Sequence, residues 1–337
     1  MTHNFGRINN FILIGGGAIM SGILKNGINS LSAVVFTAER FLNDIVDDSG
    51  TTFKDFLQDR NLDYYVSDDI NTDNRLDKYI SSNTICFSIS APWIIRKKFL
   101  NKFDNRGVLN IHISDLPRYR GGGGPSWKIL NGEREGAYTI HFITTGIDDG
   151  EILHSEKFEY PHHCIYPEQM DELNISVSIK GLQVFLNDVA NGRDFTVVNQ
   201  DENLSFYLPR LNTKMNAFID WSWTRKEIIA FINAFSYPFE GAKTYVNNDL
   251  VKIKSCKSGV DRYFHPFLNG IVIRKTDSDL FVAHRDGEMI ISEVINENGM
   301  SCFTAIKLGD RLITTKNQVD NAMGFRPIYT AKGLKSN

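Results

Sequence analysis

An α/β part built on a mostly parallel sheet with helices on both faces, followed by a small, mainly β part, is the architecture this sequence predicts. Three observations carry it. Short apolar runs at residues 10–14, 31–36, 62–66 and 84–89 alternate with polar, helical or irregular stretches, which is how parallel strands buried on both faces are written. Beyond residue 255 the pattern becomes short alternating runs separated by Asp, Asn and Gly turns, the mark of a small antiparallel sheet. At 337 residues the chain is long enough for two domains and a large core.

Taken in order, the run 10–14 leads into Gly15-Gly16-Gly17, and residues 18–25 read as a helix stopped by Asn26-Gly27. A strand over 31–36 ends near Glu39. Strand, glycine turn, helix, strand, acid is the outline of a Rossmann-like dinucleotide site, yet Met20 occupies the third glycine position. The glycines then serve tight chain packing, or let a substrate approach the backbone at Gly16. The strand over 84–89 closes on Ser90-Ala91-Pro92-Trp93. Trp93 either belongs to a ligand pocket at the strand ends or starts a helix over 93–103.

The next strand carries Asn110 and His112 two residues apart, which directs both side chains to one face. Arg118, Arg120 and the glycines Gly121 to Gly124 follow. They read as a cationic loop whose backbone N–H groups meet a diphosphate, or as a tight turn before a helix over 126–130; both can hold. A strand over 138–143 then reaches the acidic turn Gly146-Ile147-Asp148-Asp149-Gly150. One amide, one imidazole and one carboxylate can converge there.

Residues 168–189 form a helix with Ile175, Ile179, Leu182, Leu186 and Val189 on one core-facing stripe, ended by Asn191-Gly192. Within 205–245 a helix over 224–235 places Ile228, Ile232 and Phe235 at core spacing. Tyr207 and Arg210 can stack on a base and pair with a phosphate, or equally make interdomain contacts. Runs at 270–274, 280–283, 289–293 and 303–306 read as strands, with Asp286-Gly287 and Asn298-Gly299 as hairpin-type turns. The last dozen residues are expected to be mobile.

The net charge of −3, with 23% charged and 42% hydrophobic residues, is ordinary for a soluble globular chain and argues against a partner held by phosphate neutralisation, so no nucleic acid is favoured. Cys86, Cys164, Cys256 and Cys302 are far apart in sequence, which fits free thiols in a reducing compartment. No run of about 18 apolar residues occurs, so no membrane partner and a cytoplasmic location are expected. His162-His163-Cys164 looks like a metal motif, but adjacent side chains diverge, and the acids around Asp148 lack a paired ligand set. No metal is expected.

The ordered set Asn110-x-His112-x-Ser114-x-Leu116-Pro117, Arg120-Gly121, Pro125, Trp127, Asp148-x-Gly150 and Ile152 resembles the signature of folate-dependent formyltransferases. Phe206-Tyr207, Ile219-Asp220-Trp221 and Pro238-Phe239-Glu240-Gly241-Ala242 resemble the linker of the same family. The resemblance implies a catalytic domain over 1–204 and a C-terminal domain over 205–337, with linker and helix in 205–245 and a barrel-like β part in 256–320. It implies 10-formyltetrahydrofolate as co-substrate, bound near Ser90, Ala91, Pro92, Trp93, Ile143 and Ile147. It also implies Asn110 as oxyanion donor, His112 as base or donor, and Asp148 as the group that orients the imidazole. Gly16, Arg118, Arg120, Gly121, Gly122, Tyr207 and Arg210 are the expected substrate contacts.

Asp115 stands where the transfer-RNA members usually have leucine, and the charge balance is mildly acidic. The favoured acceptor is therefore a dTDP- or UDP-linked amino-deoxy sugar for O-antigen or lipopolysaccharide biosynthesis. Alternatives are methionyl-tRNA formylation, a catalytically silent binding module of the same fold, and an oxidoreductase using Gly15 to Gly17 and Glu39. A homodimer through the C-terminal part is an expectation from the resemblance.

Overall fold

The computed structural model describes every residue except 27–31, 104–106, 123, 331–332 and 335–337. The N-terminal part is organised on a seven-stranded sheet. Its strands are β1 (Asn10–Gly15), β2 (Ser32–Thr37), β3 (Asp63–Val66), β4 (Thr84–Ile89), β5 (Val108–His112), β6 (Glu135–Phe142) and β7 (Ile152–Glu159). The spatial order is β3-β2-β1-β4-β5-β6-β7, parallel through β5 and antiparallel beyond it. Order therefore reverses between β1 and β4, and the crevice at that switch point lies outside the carboxyl ends of β1, β4 and β5.

All six residues of β4 are buried, because helices cover both faces of the sheet. One face packs against α1 (Ala18–Asn26), α2 (Phe53–Asp59) and α4 (Pro167–Ala190), burying Phe11, Phe53, Phe87 and Phe185 together. The other buries Ile12, Phe36, Trp93, Phe99 and Val108. A side chain on Gly15 would place its Cβ 1.9 Å from the Ile89 carbonyl oxygen, and its φ of 126° suits glycine alone. At Gly16 a Cβ would strike the Phe41 ring. This glycine turn is a packing device. The expected stops and starts at Gly27, Leu31 and Gly123 lie outside the described residues, as do 331–332 and 335–337 of the tail.

Two expectations on helices are corrected. Only Lys97–Leu100 is helical within 93–103. Asn71 prevents an earlier start: its Nδ2 donates to the Ile94 carbonyl and its Oδ1 accepts the Arg96 N–H, while Trp93 Nε1 donates to the Asp68 carbonyl. On α4 the buried face runs Met170, Asn174, Ser178, Leu182, Phe185, Leu186, Val189, and Ile175 and Ile179 are only half-buried. The N-terminal half of the helix is built on a polar contact, Tyr160 Oη donating to Asn174 Oδ1 at 2.6 Å, and Gly181 leaves room for the Tyr138 ring.

The C-terminal sheet has six antiparallel strands: β8 (Ala242–Val246), β9 (Asp249–Ser258), β10 (Val272–Lys275), β11 (Leu280–His284), β12 (Gly287–Asn296) and β13 (Leu312–Ile313), ordered β10-β11-β12-β9-β8-β13. It packs against α5 (Arg225–Ala234), which Thr224 and Glu227 start with a capping box. The sheet thus begins at Ala242, inside the segment expected as linker. Residues 303–306 are not a strand; they form a turn and its exit whose Phe303 and Ile306 carbonyls accept from Lys275 Nζ. A last helix, α6 (Lys316–Gly324), was announced only by its capping pair Thr315 and Gln318. Helix α3 (Pro125–Asn131) joins the two parts: Ser126 Oγ donates to the Ala234 carbonyl and Trp127 Nε1 to the Pro209 carbonyl.

Candidate active site

Strand β5 buries Val108, Leu109 and Ile111 and leaves Asn110 and His112 half-exposed at its carboxyl end. Both line a cavity of about 530 Å³. Antiparallel pairing sets Asn110 directly opposite His141 of β6. His141 is buried, and its Nδ1 donates to the Phe142 carbonyl at 2.8 Å, so Nε2 is left with a lone pair. That lone pair accepts from Asn110 Nδ2 at 3.2 Å. The contact fixes which way the Asn110 amide faces and leaves its second N–H free to donate. His141 was not singled out in the sequence, because only strand register reveals its partner.

Burial, followed by the neighbouring His112, pushes His141 down to about 4. It is therefore neutral throughout the working range, as the Asn110 contact requires. A histidine whose folded pKa is depressed contributes stability that is present above its unfolded value of 6.5 and lost as pH falls toward 4. The stability of the wild type relative to a His141→Gln variant should fall by on the order of 3 kcal/mol across that window. In NMR titrations its Cε1–H resonance should stay flat from neutrality down to mild acid; a midpoint near the ordinary histidine value would contradict the assigned lone pair.

His112 Nε2 donates to the Tyr119 carbonyl at 2.9 Å, which leaves Nδ1 toward Asp148 Oδ2 at 3.7 Å. Asp148 sits between the two histidines, its Oδ1 being 3.7 Å from His141 Nε2. The Gly121 N–H donates to Asp148 Oδ2 at 2.8 Å. Three non-glycine residues around the cavity hold left-handed backbone, Ser90 at φ 55°, Tyr119 at 57° and Asp148 at 50°. Such conformations cost of order 1 kcal/mol or more each and concentrate where side chains must be aimed.

The Asp148 turn is clamped from outside. Gln200 Nε2 donates to the Asp148 and Gly150 carbonyls at 2.8 and 2.7 Å, and Gln200 Oε1 accepts from Arg120 Nε and Nη2. Arg120 also grips both oxygens of Glu202, at 3.0 and 2.8 Å. Arg120 is therefore committed to this clamp and is not in the cavity wall, against its expected place as a substrate contact. Its partners lie eighty and more positions along the chain, beyond any local pattern.

The cavity gathers Asn110, His112 and Asp148 with the expected folate contacts Ser90, Ala91, Pro92, Trp93, Ile143 and Ile147. Of the expected substrate contacts it takes in Gly121, Gly122, Tyr207 and Arg210. Gly16 is not in its wall and spends its N–H on the Ile89 carbonyl. Arg118 is exposed and also outside it. The glycine loop is not a phosphate cradle at its first two positions. The Gly121 N–H serves Asp148 and the Gly122 N–H the Leu208 carbonyl. Any Cβ there would stand 2.1 Å from the Tyr207 ring or 2.5 Å from Arg210 Cα. These glycines let the segment after Phe206 lie against the loop, which is how Tyr207 and Arg210 reach the cavity.

Other features fall outside this site. His162 and His163 are exposed and Cys164 is buried; all four cysteines are free. Among the described residues no cluster of three or more His, Cys, Asp or Glu could hold a metal ion, and no helix is long and apolar enough to cross a membrane.

The sequence model of the family described as formyl transferase matches residues 67–173, which include Asn110, His112 and Asp148. That of the formyl transferase C-terminal domain matches residues 212–303. This chain belongs to the formyl transferase family. Methionyl-tRNA formyltransferase of Ruminiclostridium cellulolyticum is 30% identical over 193 residues, 56% of this chain and 59% of that enzyme. The same enzyme of Syntrophus aciditrophicus is 29% identical over 62% of this chain and 65% of its own length. The matched segments thus span less than two thirds of these relatives. Among solved structures, the sugar 3N-formyltransferase WlaRD, crystallised with dTDP and 5-N-formyl-THF, shares the fold at a TM-score of 0.63 and 22% identity, over 85% of this formyltransferase chain and 98% of that one. An N-formyltransferase of Helicobacter canadensis, in complex with folinic acid and dTDP-3-aminofucose, has a TM-score of 0.62 and 20% identity, over 85% and 99% of the two chains.

Proposed function

We propose that this chain transfers the formyl group of 10-formyltetrahydrofolate, as co-substrate, to the amine of a nucleotide-linked amino-deoxy sugar, dTDP- or UDP-bound, in the cytoplasm. The product would feed surface polysaccharide such as O-antigen. The observation that carries the reading is the convergence of Asn110, His112 and Asp148 in one cavity, with an apolar wall on one side and Tyr207 and Arg210 on the other. The apolar side suits a flat pteridine: Ile147 is 55% exposed there although it is a large aliphatic residue, and Trp93 and Ile143 back it.

Formyl transfer is acyl transfer, in which an oxyanion develops and the attacking amine sheds a proton. Asn110 supplies the N–H that His141 leaves free, aimed at the developing oxyanion. His112 takes the amine proton at Nδ1, since Nε2 is committed to the Tyr119 carbonyl. Asp148 then faces the imidazolium across 3.7 Å, stabilising the charge and holding the ring in place.

For the acceptor, the two sugar N-formyltransferase folds are matched over nearly their whole length, and the net charge of −3 ill suits binding an acceptor stem. Asp115 makes a surface ion pair with Lys157 at 2.8 Å, adding no cation to the loop. Methionyl-tRNA formylation stays the second reading, because the sequence relatives carry that name. The test offers 10-formyltetrahydrofolate with a panel of dTDP- and UDP-amino sugars beside charged initiator transfer RNA. Mass gain of one formyl group on a sugar nucleotide is expected. Formylation of the transfer RNA alone would overturn the acceptor while keeping the catalytic residues, and transfer to neither would count for a silent module.

A further inference from the structure

Of the seven residues of α3 only Lys128 is buried, at 2% exposure. A lysine in that place is costly, because an ammonium taken out of water needs partners in return. Its Nζ donates to the Glu135 carbonyl at 2.9 Å, and no carboxylate pairs with it among the described residues. What the ammonium meets instead is an aromatic face: Nζ stands 4.2 Å from the centroid of the Tyr119 ring. A cation over a ring away from water is held more firmly than the same pair at the surface. Burial lowers the Lys128 ammonium from its ordinary value, and the negative charges of Glu133, Asp115 and Glu135 work the other way.

Tyr119 is the residue whose backbone carbonyl accepts from His112 Nε2 at 2.9 Å and from Ser114 Oγ at 3.3 Å. Its φ is 57°, a conformation that a tyrosine keeps only when its surroundings hold it there. The hydroxyl gives no anchor, being buried without a hydrogen-bond partner. The ring gives it. Tyr119 is fully buried, and its ring is held by that of Phe206, 4.9 Å away between centroids at 64°, and by the Lys128 ammonium. Which nitrogen of an imidazole carries the proton is set by the hydrogen bond that the other makes. The Tyr119 carbonyl accepts only from a protonated Nε2, so its placement leaves the lone pair on Nδ1.

We propose that Lys128 is a positioning residue: its buried ammonium fixes the Tyr119 ring, and through the Tyr119 carbonyl it selects the His112 tautomer with Nε2 protonated and Nδ1 free. The consequence for catalysis rests on the reading of His112 as base given above; the tautomer itself does not. Lys128 is not in the cavity wall and acts only through Tyr119. A methionine of similar length would fill the same slot without taking a charge out of water. Packing alone therefore does not call for the ammonium.

Heteronuclear NMR of the His112 ring nitrogens in the full chain, assigned by their loss in His112→Ala, tests it beside kcat and KM for the acceptor that the wild type formylates. While the ring is neutral, the wild type should show one tautomer, protonated at Nε2. In Lys128→Met the melting temperature should stay or rise, since a buried charge is gone, yet both tautomers should be populated and kcat should fall about tenfold with KM unchanged. Adding Lys128→Met to Tyr119→Leu should change neither the tautomer ratio nor kcat any further, because the ring through which the ammonium acts is already absent. A Lys128→Met protein that keeps the single tautomer and the wild-type kcat would overturn the proposal and leave the formyl-transfer reading standing. A tautomer that changes while kcat stays at the wild-type value would uphold the link from Lys128 to His112 and overturn His112 as the base. A wild type that formylates no acceptor would overturn the transfer reading, and the tautomer would still decide the link.

Discussion

Asn110→Asp should slow formyl transfer by about a thousandfold, with folate affinity little changed. Two effects add. The substitution removes the N–H aimed at the developing oxyanion and puts a negative charge where negative charge must accumulate. It also sets a carboxylate against the Nε2 lone pair of His141, which sits 3.2 Å from Asn110 Nδ2 and cannot become a donor without protonation, since Nδ1 is already spent on the Phe142 carbonyl. The pair can recover only by charging a histidine that burial keeps neutral to about pH 4. Single-turnover rates with saturating 10-formyltetrahydrofolate, alongside calorimetric affinities for 5-formyltetrahydrofolate, separate the chemical step from binding. A rate within a few-fold of the wild type would remove Asn110 from the mechanism.

His112→Ala should cost between about a hundredfold and ten-thousandfold in the same single-turnover rate. Of the other titratable groups at the site, His141 has its Nε2 occupied by Asn110, and Asp148 has one oxygen taken by the Gly121 N–H and stands beside the imidazole rather than in its place. The fold should survive, because His112 is half-exposed at a strand end and its side chain makes one hydrogen bond, to the Tyr119 carbonyl, worth about 1 kcal/mol. The Ser114 hydroxyl also reaches that carbonyl at 3.3 Å, so the loop keeps an anchor. A melting temperature near that of the wild type with transfer abolished is the expected pair of results. Normal turnover would show that the proton leaves by another route.

Arg120 is expected at the substrate from the resemblance, but its guanidinium is taken up in clamping the Asp148 turn through Gln200. A guanidinium beside a glycine loop suggests phosphate, but Arg120 is committed to Gln200 and Glu202, while Arg210 lies in the cavity wall. The residue type was informative, but the partner was chosen by the fold.

The alternation of buried apolar runs with helices, and the pairing of Asn110 with His112 on one strand face, depend on periods of two and of three to four residues. Such periods are written within a few positions, so the α/β class, the antiparallel C-terminal sheet and the shared face of Asn110 and His112 were legible in the sequence alone. Other features needed contacts spanning tens to hundreds of positions. The 31 positions between Asn110 and His141 close only when β6 pairs with β5 in one register. The 82 between Arg120 and Glu202 close only when the segment after β7 and α4 returns to the loop. Gly121 and Gly122 look like a phosphate loop until Tyr207 and Arg210 are laid against them. Trp93 to Arg96 look helical until Asn71 takes their hydrogen bonds. Tyr329 has no local pattern at all, and joins the cavity because α6 turns the tail back. Local sequence determined which groups were available to the site; long-range packing decided which were free to meet a ligand, because a polar group already satisfied inside the fold has nothing left to offer one.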